Sequence, residues 1–147
     1  MPDTKLNPKF EHKINFLSEM KDKYLKGEHR KTIIVGDFNI APLPDDVWSH
    51  KALLNVVSHT KIETDLLSEI KKNGKWLDTF REIIPSGKLY SWWSYRARDW
   101  KASNRGRRLD HIWASNDLKS KLSRVEIFSE ARGWERPSDH VPILAIF

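Results

Sequence analysis

The chain has 147 residues, of which 39% are hydrophobic and 31% charged, so it is the size of one domain and has enough apolar residues for a core. These proportions exclude global disorder, and the absence of cysteine excludes disulfides and thiolate metal sites. The formal net charge of +6 favours anionic partners, nucleic acid first among them, although a solvated basic surface has the same excess of Lys and Arg. With neither an apolar signal segment nor a run long enough to span a membrane, a cytoplasmic location is expected.

The amino-terminal half is predicted to hold two helices and one strand. Apolar residues recur at three- and four-residue spacing over residues 8–26, which predicts an amphipathic helix. Residues 32–35 predict a short buried strand, and the prolines within residues 41–50 predict a loop. Thr64 is expected to cap a second helix over residues 65–72, with its leucine and isoleucine side chains facing inward.

The carboxyl-terminal half is predicted to consist mainly of strands. The predicted elements are strands over residues 88–95, 109–114, 125–128 and 143–147, a short helix over 117–122, and polar loops over 96–106 and 129–140. This mixture of strands and helices indicates an α/β or α+β fold. No linker divides the chain, so residues 1–147 are expected to form a single domain.

Two polar side chains follow the first predicted strand. Asp37 and Asn39 are two residues apart, so both point the same way if the chain stays extended there. A carboxylate can take a proton from a water molecule or bind a cation, and an amide beside it can hold that water in position. The alternative is an Asx turn, in which these side chains bond only to nearby backbone.

A second set of polar residues flanks two of the later strands. A histidine held by a carboxylate can donate to a phosphoryl oxygen or act as a general acid or base, and His140 is the candidate. Adjacent strand residues point apart, so Asp110 is a better partner for His140 than Asp139 is, provided that their strands are neighbours. Asp139 is then free to bind a metal ion through oxygen. The alternative is a turn-capping aspartate and a histidine half-buried at a strand end.

Residues 90–108 interleave aromatic and basic side chains. Cations contact phosphates and aromatic faces stack on bases or sugars, which makes this stretch a candidate DNA-binding surface. The alternative is that alternate aromatics only fill the core, and we expect some of them to do so while the arginine-rich loop is exposed. The candidate DNA-binding residues are Trp92, Tyr95, Arg96, Arg105, Arg107 and Arg108.

Four motifs together resemble the exonuclease III family, the DNA-repair nucleases of the exonuclease–endonuclease–phosphatase superfamily. They are Gly36–Asn39, Ser91–Arg96, Asn104–His111 and Pro137–Pro142. The first and last occur across the superfamily, and the middle two narrow the match to the DNA-repair branch. The resemblance implies a Mg²⁺-dependent hydrolase, with Mn²⁺ as an alternative ion. It would cut duplex DNA 5′ to abasic sites and remove nucleotides or blocking groups from 3′ ends.

The resemblance also implies a role for each candidate residue. Asp37 matches the aspartate that orients or deprotonates the attacking water and is a further metal candidate, and Asn39 matches its amide partner. His140 matches the histidine at the scissile phosphate, and Asp110 matches the aspartate that orients it. Asp139 matches the carboxylate near the metal.

One position departs from the family pattern in the pocket that receives the abasic nucleotide. Trp92 falls where the family has an aromatic residue of that pocket. Arg107 stands where some members have tryptophan.

The family fold is the deoxyribonuclease-I-like four-layer sandwich, two β-sheets flanked by helices, and the chain resembles only its carboxyl-terminal half. The amino-terminal part, with a metal-binding glutamate, an early asparagine and a tyrosine near the phosphate, has no counterpart here. A half alone leaves a sheet face uncovered, and a large apolar patch usually binds a partner. We therefore expect a truncated or split form that pairs with a separate amino-terminal fragment, self-associates, or is unstable alone.

Two other functions fit some of the same residues. One is a catalytically inactive DNA-binding or assembly fragment that retains the basic loop. The other is a small-substrate phosphodiesterase or phosphatase of the same superfamily, which the motifs Ser91–Arg96 and Asn104–His111 disfavour.

Overall fold

The computed structural model describes residues 7–147. Its α-helices are α1 (Pro8–Lys23), α2 (His50–Leu53), α3 (Lys61–Asn73), α4 (Thr79–Ile83) and α5 (Trp100–Ser103), and its strands are β1 (Ile33–Asp37), β2 (Trp76–Asp78), β3 (Trp92–Trp93), β4 (Gly106–Arg107), β5 (Asp110–Ser115), β6 (Arg124–Ile127) and β7 (Ile143–Ile146). Short 3₁₀ helices cover Pro44–Asp46, Asn116–Lys121 and Ser129–Gly133. The mixture of helices and strands agrees with the predicted fold class. None of the helices within residues 7–147 has the length and apolar character needed to cross a membrane.

The second long helix starts four residues earlier than predicted, because a different threonine caps it. The Thr60 hydroxyl accepts from the Glu63 amide, and the Glu63 carboxylate accepts from the Thr60 amide in return. This capping box satisfies two amide donors of the first turn, so the helix begins at Lys61 and Thr64 lies inside it. The helix ends at Asn73, one residue beyond the predicted end, and Gly74 is its C-cap.

The strands form three small antiparallel sheets, of which the largest has the order β1-β5-β2. The register of β1 on β5 sets Asp37 opposite Asp110. Strands β3 and β4 form a two-stranded ribbon, and β6 and β7 form a second two-stranded sheet that packs on β5. A single bridge between Trp92 and His140 connects the ribbon to the segment before β7.

The predicted strand over residues 88–95 is mostly wrong, since regular pairing is limited to Trp92–Trp93. The flanking backbone bonds in different directions: the amide of Ser91 donates to Arg107 O, whereas the amide of Trp93 donates to Asp139 O. A segment shared between two neighbours in this way cannot form a long ladder with either of them.

Three predicted loops also contain ordered elements. The Asp99 side chain accepts from the Ala102 amide and so begins α5 inside the predicted loop 96–106, which also contains the start of β4. Residues 41–50 contain a 3₁₀ turn and the first residue of α2, and residues 129–140 contain the 3₁₀ helix Ser129–Gly133. The short helix predicted over residues 117–122 is a 3₁₀ helix.

The core lies between the helices and the largest sheet. Leu17 of α1 and Ile70 of α3 pack there against Trp76 and Trp113 of the sheet. A separate cluster under the β3–β4 ribbon contains Tyr90 and Trp93 with Ala131 and Val141. The expectation that some of the aromatics of residues 90–108 fill the core is therefore confirmed for Tyr90 and Trp93.

A buried ionic centre joins the loop after β1 to β2. Arg108, only 1% exposed, donates to both carboxylate oxygens of Asp46 and to both of Asp78, and Arg81 also donates to Asp46. Burial acts to lower the pKa of Arg108, but the two carboxylates outweigh it and raise that pKa, so the guanidinium stays charged. The prediction that Arg108 binds DNA is wrong, because its donors are directed at these buried carboxylates.

Strands β1 and β7 each have an unpaired edge flanked by exposed apolar side chains within residues 7–147. Strand β1 pairs only with β5, and its side chains Ile33 and Val35 are 46% and 67% exposed. Strand β7 pairs only with β6, and Ile146 beside its free edge is also exposed. Unpaired edges with exposed apolar side chains are typical surfaces for adding a further strand.

Candidate active site

Three polar side chains meet where β1 ends and β5 begins. Asp37 and Asp110 face each other across the β1–β5 ladder, and the bridge to Trp92 brings His140 between them. His140 Nδ1 lies 2.8 Å from Asp110 Oδ2, and His140 Nε2 lies 3.6 Å from Asp37 Oδ2. The structure therefore brings together the aspartate and histidine pair that the sequence suggested, and it leaves Asp37 and His140 facing each other across a short gap.

Asp110 is held by a residue that the sequence reading missed. The Ser91 hydroxyl donates to Asp110 Oδ2 over 2.6 Å, while its oxygen accepts from the amides of Leu109 and Asp110 at 3.0 Å each. Ser91 is fully buried, so the carboxylate is oriented by a group that water does not reach. No sequence signal marked this serine beyond its place at the head of the Ser91–Arg96 motif.

The carboxylates around His140 favour its charged form. A carboxylate only accepts, so the proton of His140 that faces Asp110 sits on Nδ1. Burial acts to lower the pKa of His140, but the hydrogen bond and charge of Asp110, with Asp37 and Asp139 further away, raise it above the ordinary value. With both ring nitrogens protonated, Nε2 is a donor aimed towards Asp37.

The two residues of the first motif are arranged differently from the extended-chain expectation. Asn39 has a φ of 50°, in the left-handed region, so the chain turns at the end of β1. The Asn39 amide donates to Asp37 Oδ1 over 2.8 Å, which is the Asx turn kept as the alternative. This bond leaves Asp37 Oδ2 to face His140, and Asn39 is exposed beside it.

The ligand atoms of Asp37, Asp110 and His140 lie within 4.8 Å of one another. Carboxylate oxygens are ligands that Mg²⁺ and Mn²⁺ accept, so these carboxylates fit a divalent ion of that class. Asp139 is not in this group, and it is not free as predicted, because its Oδ2 accepts from Trp92 Nε1 over 2.9 Å. The bond instead ties the aromatic side chain to the segment that carries His140.

A cleft of about 600 Å³ opens beside Trp92, and we call it the basic cleft. The Arg107 guanidinium lies 5.2 Å from the centroid of Trp92, and the Arg105 guanidinium lies 4.7 Å from that of Trp48. Arg96 also lines the cleft. Stacked aromatic and cationic side chains of this kind bind nucleotides, since the ring faces stack and the cations meet phosphates.

The basic cleft differs from the predicted surface in three ways. Trp48 was missed, because it precedes the aromatic stretch by more than forty residues and only folding brings it near Arg105. Tyr95 is exposed but does not line the cleft, and its hydroxyl donates to Pro137 O. Arg107 is half-buried, with Nη1 donating to Val57 O and to the Ser58 hydroxyl.

Comparisons with known proteins give the same family from sequence and from fold. Residues 17–140 match the model of the Endonuclease/Exonuclease/phosphatase family. Exodeoxyribonuclease III of Haemophilus influenzae is 32% identical and aligns with 95% of this chain and 55% of its own length. An AP endonuclease from Archaeoglobus fulgidus superposes with a TM-score of 0.88 at 29% identity, covering 96% of this chain and 55% of that one. NExo, a 3′ phosphatase from Neisseria bound to product DNA hairpin, gives 0.83 at 29% identity, covering 97% and 55%.

The chain spans about half the length of these relatives. The resemblance to exonuclease III is confirmed, and so is the expectation that about half of that fold is represented. The matched residues include the Asp37, Asp110 and His140 cluster. By its sequence and by its fold, the chain belongs to the Endonuclease/Exonuclease/phosphatase family.

Proposed function

We propose that this chain carries the water-activating and phosphate-facing side of a DNA-repair nuclease. Its substrates would be duplex DNA with abasic sites, cut on their 5′ side, and the 3′ ends of duplexes, as in base excision repair. The observation that carries the proposal is the gap of 3.6 Å between Asp37 Oδ2 and His140 Nε2, with Asp110 holding the other side of the imidazole. The names of the relatives, exodeoxyribonuclease III and AP endonuclease, agree with it.

In the proposed reaction, a water molecule beside Asp37 attacks the phosphorus atom. The new P–O bond forms as the bond to the leaving 3′ oxygen breaks. The water proton passes to the Asp37 carboxylate, and the departing 3′ oxygen takes up a proton from solvent to become a hydroxyl. Asn39 is exposed on the same turn and orients the water. His140, whose raised pKa favours the charged form, donates from Nε2 to a phosphoryl oxygen and so stabilises the charge that develops there.

A divalent cation, Mg²⁺ or Mn²⁺, is proposed as the cofactor. The carboxylates of Asp37 and Asp110 are the groups in the described residues that would contribute to holding it. Asp139, whose Oδ2 accepts from Trp92 Nε1, is kept as a further candidate ligand. Such an ion would supply charge neutralisation at the phosphate. Few protein carboxylates suffice for Mg²⁺, but they must be well placed, so we expect weak binding by these residues alone.

The basic cleft is proposed as the DNA-binding surface next to the site. Arg96, Arg105 and Arg107 line it without any acidic side chain among the lining residues, which suits a phosphate backbone. Trp92 connects cleft and site, because its ring stacks with Arg107 while its Nε1 donates to Asp139. A nucleotide in the cleft would therefore lie within reach of His140.

We further propose that activity needs the remainder of the family fold. It would be supplied by a longer polypeptide, by a separate amino-terminal fragment, or in part by self-association of this chain. The support is that the chain spans about half the length of its relatives and has exposed Val35 and Ile146 at unpaired strand edges. Light scattering tests the association: a stable monomer that gains no activity on mixing with the complementary fragment contradicts it.

The test of function is cleavage of a duplex with one abasic site, and of a duplex with a recessed 3′ end, in the presence of Mg²⁺. The chain is assayed alone and with an amino-terminal fragment built from a relative. We expect His140→Ala and Asp37→Ala to lower cleavage by about 10²- to 10⁴-fold, the range for losing a general acid or base. His12→Ala, an exposed histidine of α1, is the matched control. Unchanged cleavage by Asp37→Ala contradicts the assigned chemistry.

Two results would each favour one of the alternative functions instead. Salt-dependent binding of the duplex with no cleavage in any combination indicates a DNA-binding fragment without turnover. Hydrolysis of small phosphate esters with no action on DNA indicates a phosphatase of the same family.

A further inference from the structure

The segment after β1, residues 38–41, is held in place through three successive carbonyl oxygens. Each of them accepts from a side chain that comes from a different part of the chain: Lys13 Nζ donates to Asn39 O, His111 Nε2 to Ile40 O over 2.8 Å, and His59 Nδ1 to Ala41 O over 2.7 Å. Most backbone carbonyls bond to backbone or water, so three consecutive side-chain donors form a specific arrangement. We call these three donors the carbonyl clamp.

The segment needs such support because its backbone is in a sparsely populated conformation. Asn39 has a φ of 50°, a left-handed conformation that asparagine adopts more readily than other non-glycine residues but that still depends on support from its surroundings. The same turn carries the bond from the Asn39 amide to Asp37 Oδ1. The orientation of the Asp37 carboxylate therefore depends on the conformation that the clamp fixes.

The two histidines of the clamp are buried and use opposite ring nitrogens. A carbonyl only accepts, so His59 carries its proton on Nδ1 and His111 carries its proton on Nε2. His59 Nε2 then accepts from His50 Nδ1 over 2.7 Å, and His111 stacks on Phe38 with ring centroids 5.2 Å apart. Each ring is thus fixed by a second contact, which sets the direction of its donor.

Glu63 connects Lys13, the remaining donor of the carbonyl clamp, to the backbone before α3. This fully buried carboxylate accepts from Lys13 with one oxygen, and its other oxygen accepts from the amides of Ser58 and Thr60. Ser58 O in turn accepts from the Ala41 amide over 2.8 Å. Helix α1, helix α3 and strand β5 are therefore connected through residues 38–41.

We propose that His59, His111 and Lys13 are positioning residues that set the Asp37 carboxylate relative to His140. None of them touches the reacting atoms in this arrangement. They act by holding the carbonyls of Asn39, Ile40 and Ala41, which keeps the turn that directs Asp37 Oδ2 across the gap to His140. The proposal rests on the proposed function for its catalytic consequence, but its structural part stands without it.

The experiment uses amides as substitutes for single imidazole nitrogens. The Nδ2 atom of asparagine occupies the place of histidine Nδ1, and the Nε2 atom of glutamine occupies that of histidine Nε2. We therefore expect His59→Asn and His111→Gln to retain the clamp, whereas His59→Gln, His111→Asn and leucine at either position lose it. If the two histidines only filled space, the same amide would be the better substitute at both positions. We instead expect asparagine to be better at position 59 and glutamine at position 111.

The first readout does not depend on activity. In the full chain, hydrogen exchange of the Asn39 amide and the carbonyl ¹³C shifts of Ile40 and Ala41 are followed by NMR. We expect faster Asn39 exchange and shifted carbonyl signals in the variants that lose the clamp, and near wild-type values in the two amide variants that retain it. His12→Leu, on the exposed side of α1, is the matched control, and Lys13→Arg against Lys13→Met tests the third donor.

The second readout is the nuclease assay described above, with the complementary fragment present. Variants that lose the clamp are expected to lower kcat by about 10²-fold, the effect of a misplacement near 1 Å, with KM unchanged. Equal behaviour of asparagine and glutamine at both positions, or wild-type exchange of the Asn39 amide in the leucine variants, overturns the proposal. If the wild type cleaves nothing while the NMR results follow the expected pattern, the proposed function is contradicted. The structural role of the carbonyl clamp in holding the turn at Asn39 is then still supported.

Discussion

The buried ionic centre around Arg108 and the site around His140 are built from the same kinds of side chain, yet only one is suited to chemistry. In the centre, Arg108 is saturated by Asp46 and Asp78 and is excluded from water. In the site, Asp37 is about half exposed and its Oδ2 lies 3.6 Å from the imidazole. Arg108 and Asp110 are two residues apart in the chain, so position in the sequence does not separate the two roles. The two roles are separated by burial and by whether the polar atoms have hydrogen-bonding capacity left.

Replacement of Arg108 should have the largest effect on stability. Arg108→Met leaves two buried carboxylates without a partner, and breaking a buried pair in this way costs about 3–5 kcal/mol. The free energy of unfolding is measured by urea titration at neutral pH. Arg105→Met, an exposed arginine of the basic cleft, should change it by less than about 0.5 kcal/mol. Similar losses for both variants would contradict the division between the buried structural arginine and the exposed arginines of the basic cleft.

Acid should weaken the ionic centre through Asp78. Burial acts to raise the pKa of Asp78, but the charge and hydrogen bonds of Arg108 outweigh it and hold that pKa below 3.8. The folded state therefore binds this proton less readily than the unfolded state, so the stabilisation is present above pH 3.8 and is lost as pH falls through the folded-state pKa. The loss approaches about 1.4 kcal/mol per pH unit for one group. Urea titrations at several pH values give the free energy of unfolding as a function of pH. In that range it should fall less steeply with decreasing pH for Asp78→Asn than for the wild type.

Removal of the Asp110 charge should change the site without changing the centre. In Asp110→Asn, His140 loses its main hydrogen-bond acceptor and nearest negative charge while its burial remains, so its pKa should fall from its raised value to the ordinary value or below. NMR titration of the His140 ring protons measures this. Asp139→Asn is the comparison, and it should lower the pKa of His140 less, because Asp139 acts at longer range and without that bond. A His140 pKa that stays raised in Asp110→Asn would contradict the assigned cause.

The smallest predicted effect concerns the basic cleft. If Arg105 meets one phosphate, Arg105→Ala should reduce the slope of log affinity against log salt by about 0.9. Fluorescence anisotropy with a labelled duplex at several salt concentrations measures that slope. Lys9→Ala, on the exposed surface of α1, should leave the slope unchanged. An equal reduction by both would mean that DNA contacts are spread over the surface rather than gathered in the cleft.

Much of the site was predictable because short sequence patterns around each residue mark its position. Asp37, Asp110 and His140 each adjoin an apolar run, and strand ends are where exposed polar groups can converge. The pairing of Asp110 with His140 followed from the alternation of side chains along a strand, and the structure has that pair at 2.8 Å. The catalytic roles of these residues remain predictions.

Other parts could not be read locally. Arg107 and Arg108 are adjacent and chemically identical, but only Arg108 is fully buried, where it donates to Asp46 and Asp78. No local sequence pattern around either aspartate predicts these bonds. Trp48, Ser91 and the donors of the carbonyl clamp likewise act on groups distant in the chain. The start of α3 is different, because it could have been read locally: Glu63 stands three residues after Thr60, which is the capping-box spacing, whereas Leu67 stands three residues after Thr64.

The sequence by itself determined the family, the α/β character and the residue types at the candidate site, because motifs and periodicity are short-range properties. Tertiary structure decided which of those residues are exposed to a substrate. It buried Arg108 in an ionic centre, engaged Asp139 with Trp92, and turned the chain at Asn39 so that Asp37 faces His140. Burial and hydrogen-bond partners depend on segments far apart in the chain, and only packing brings those segments together.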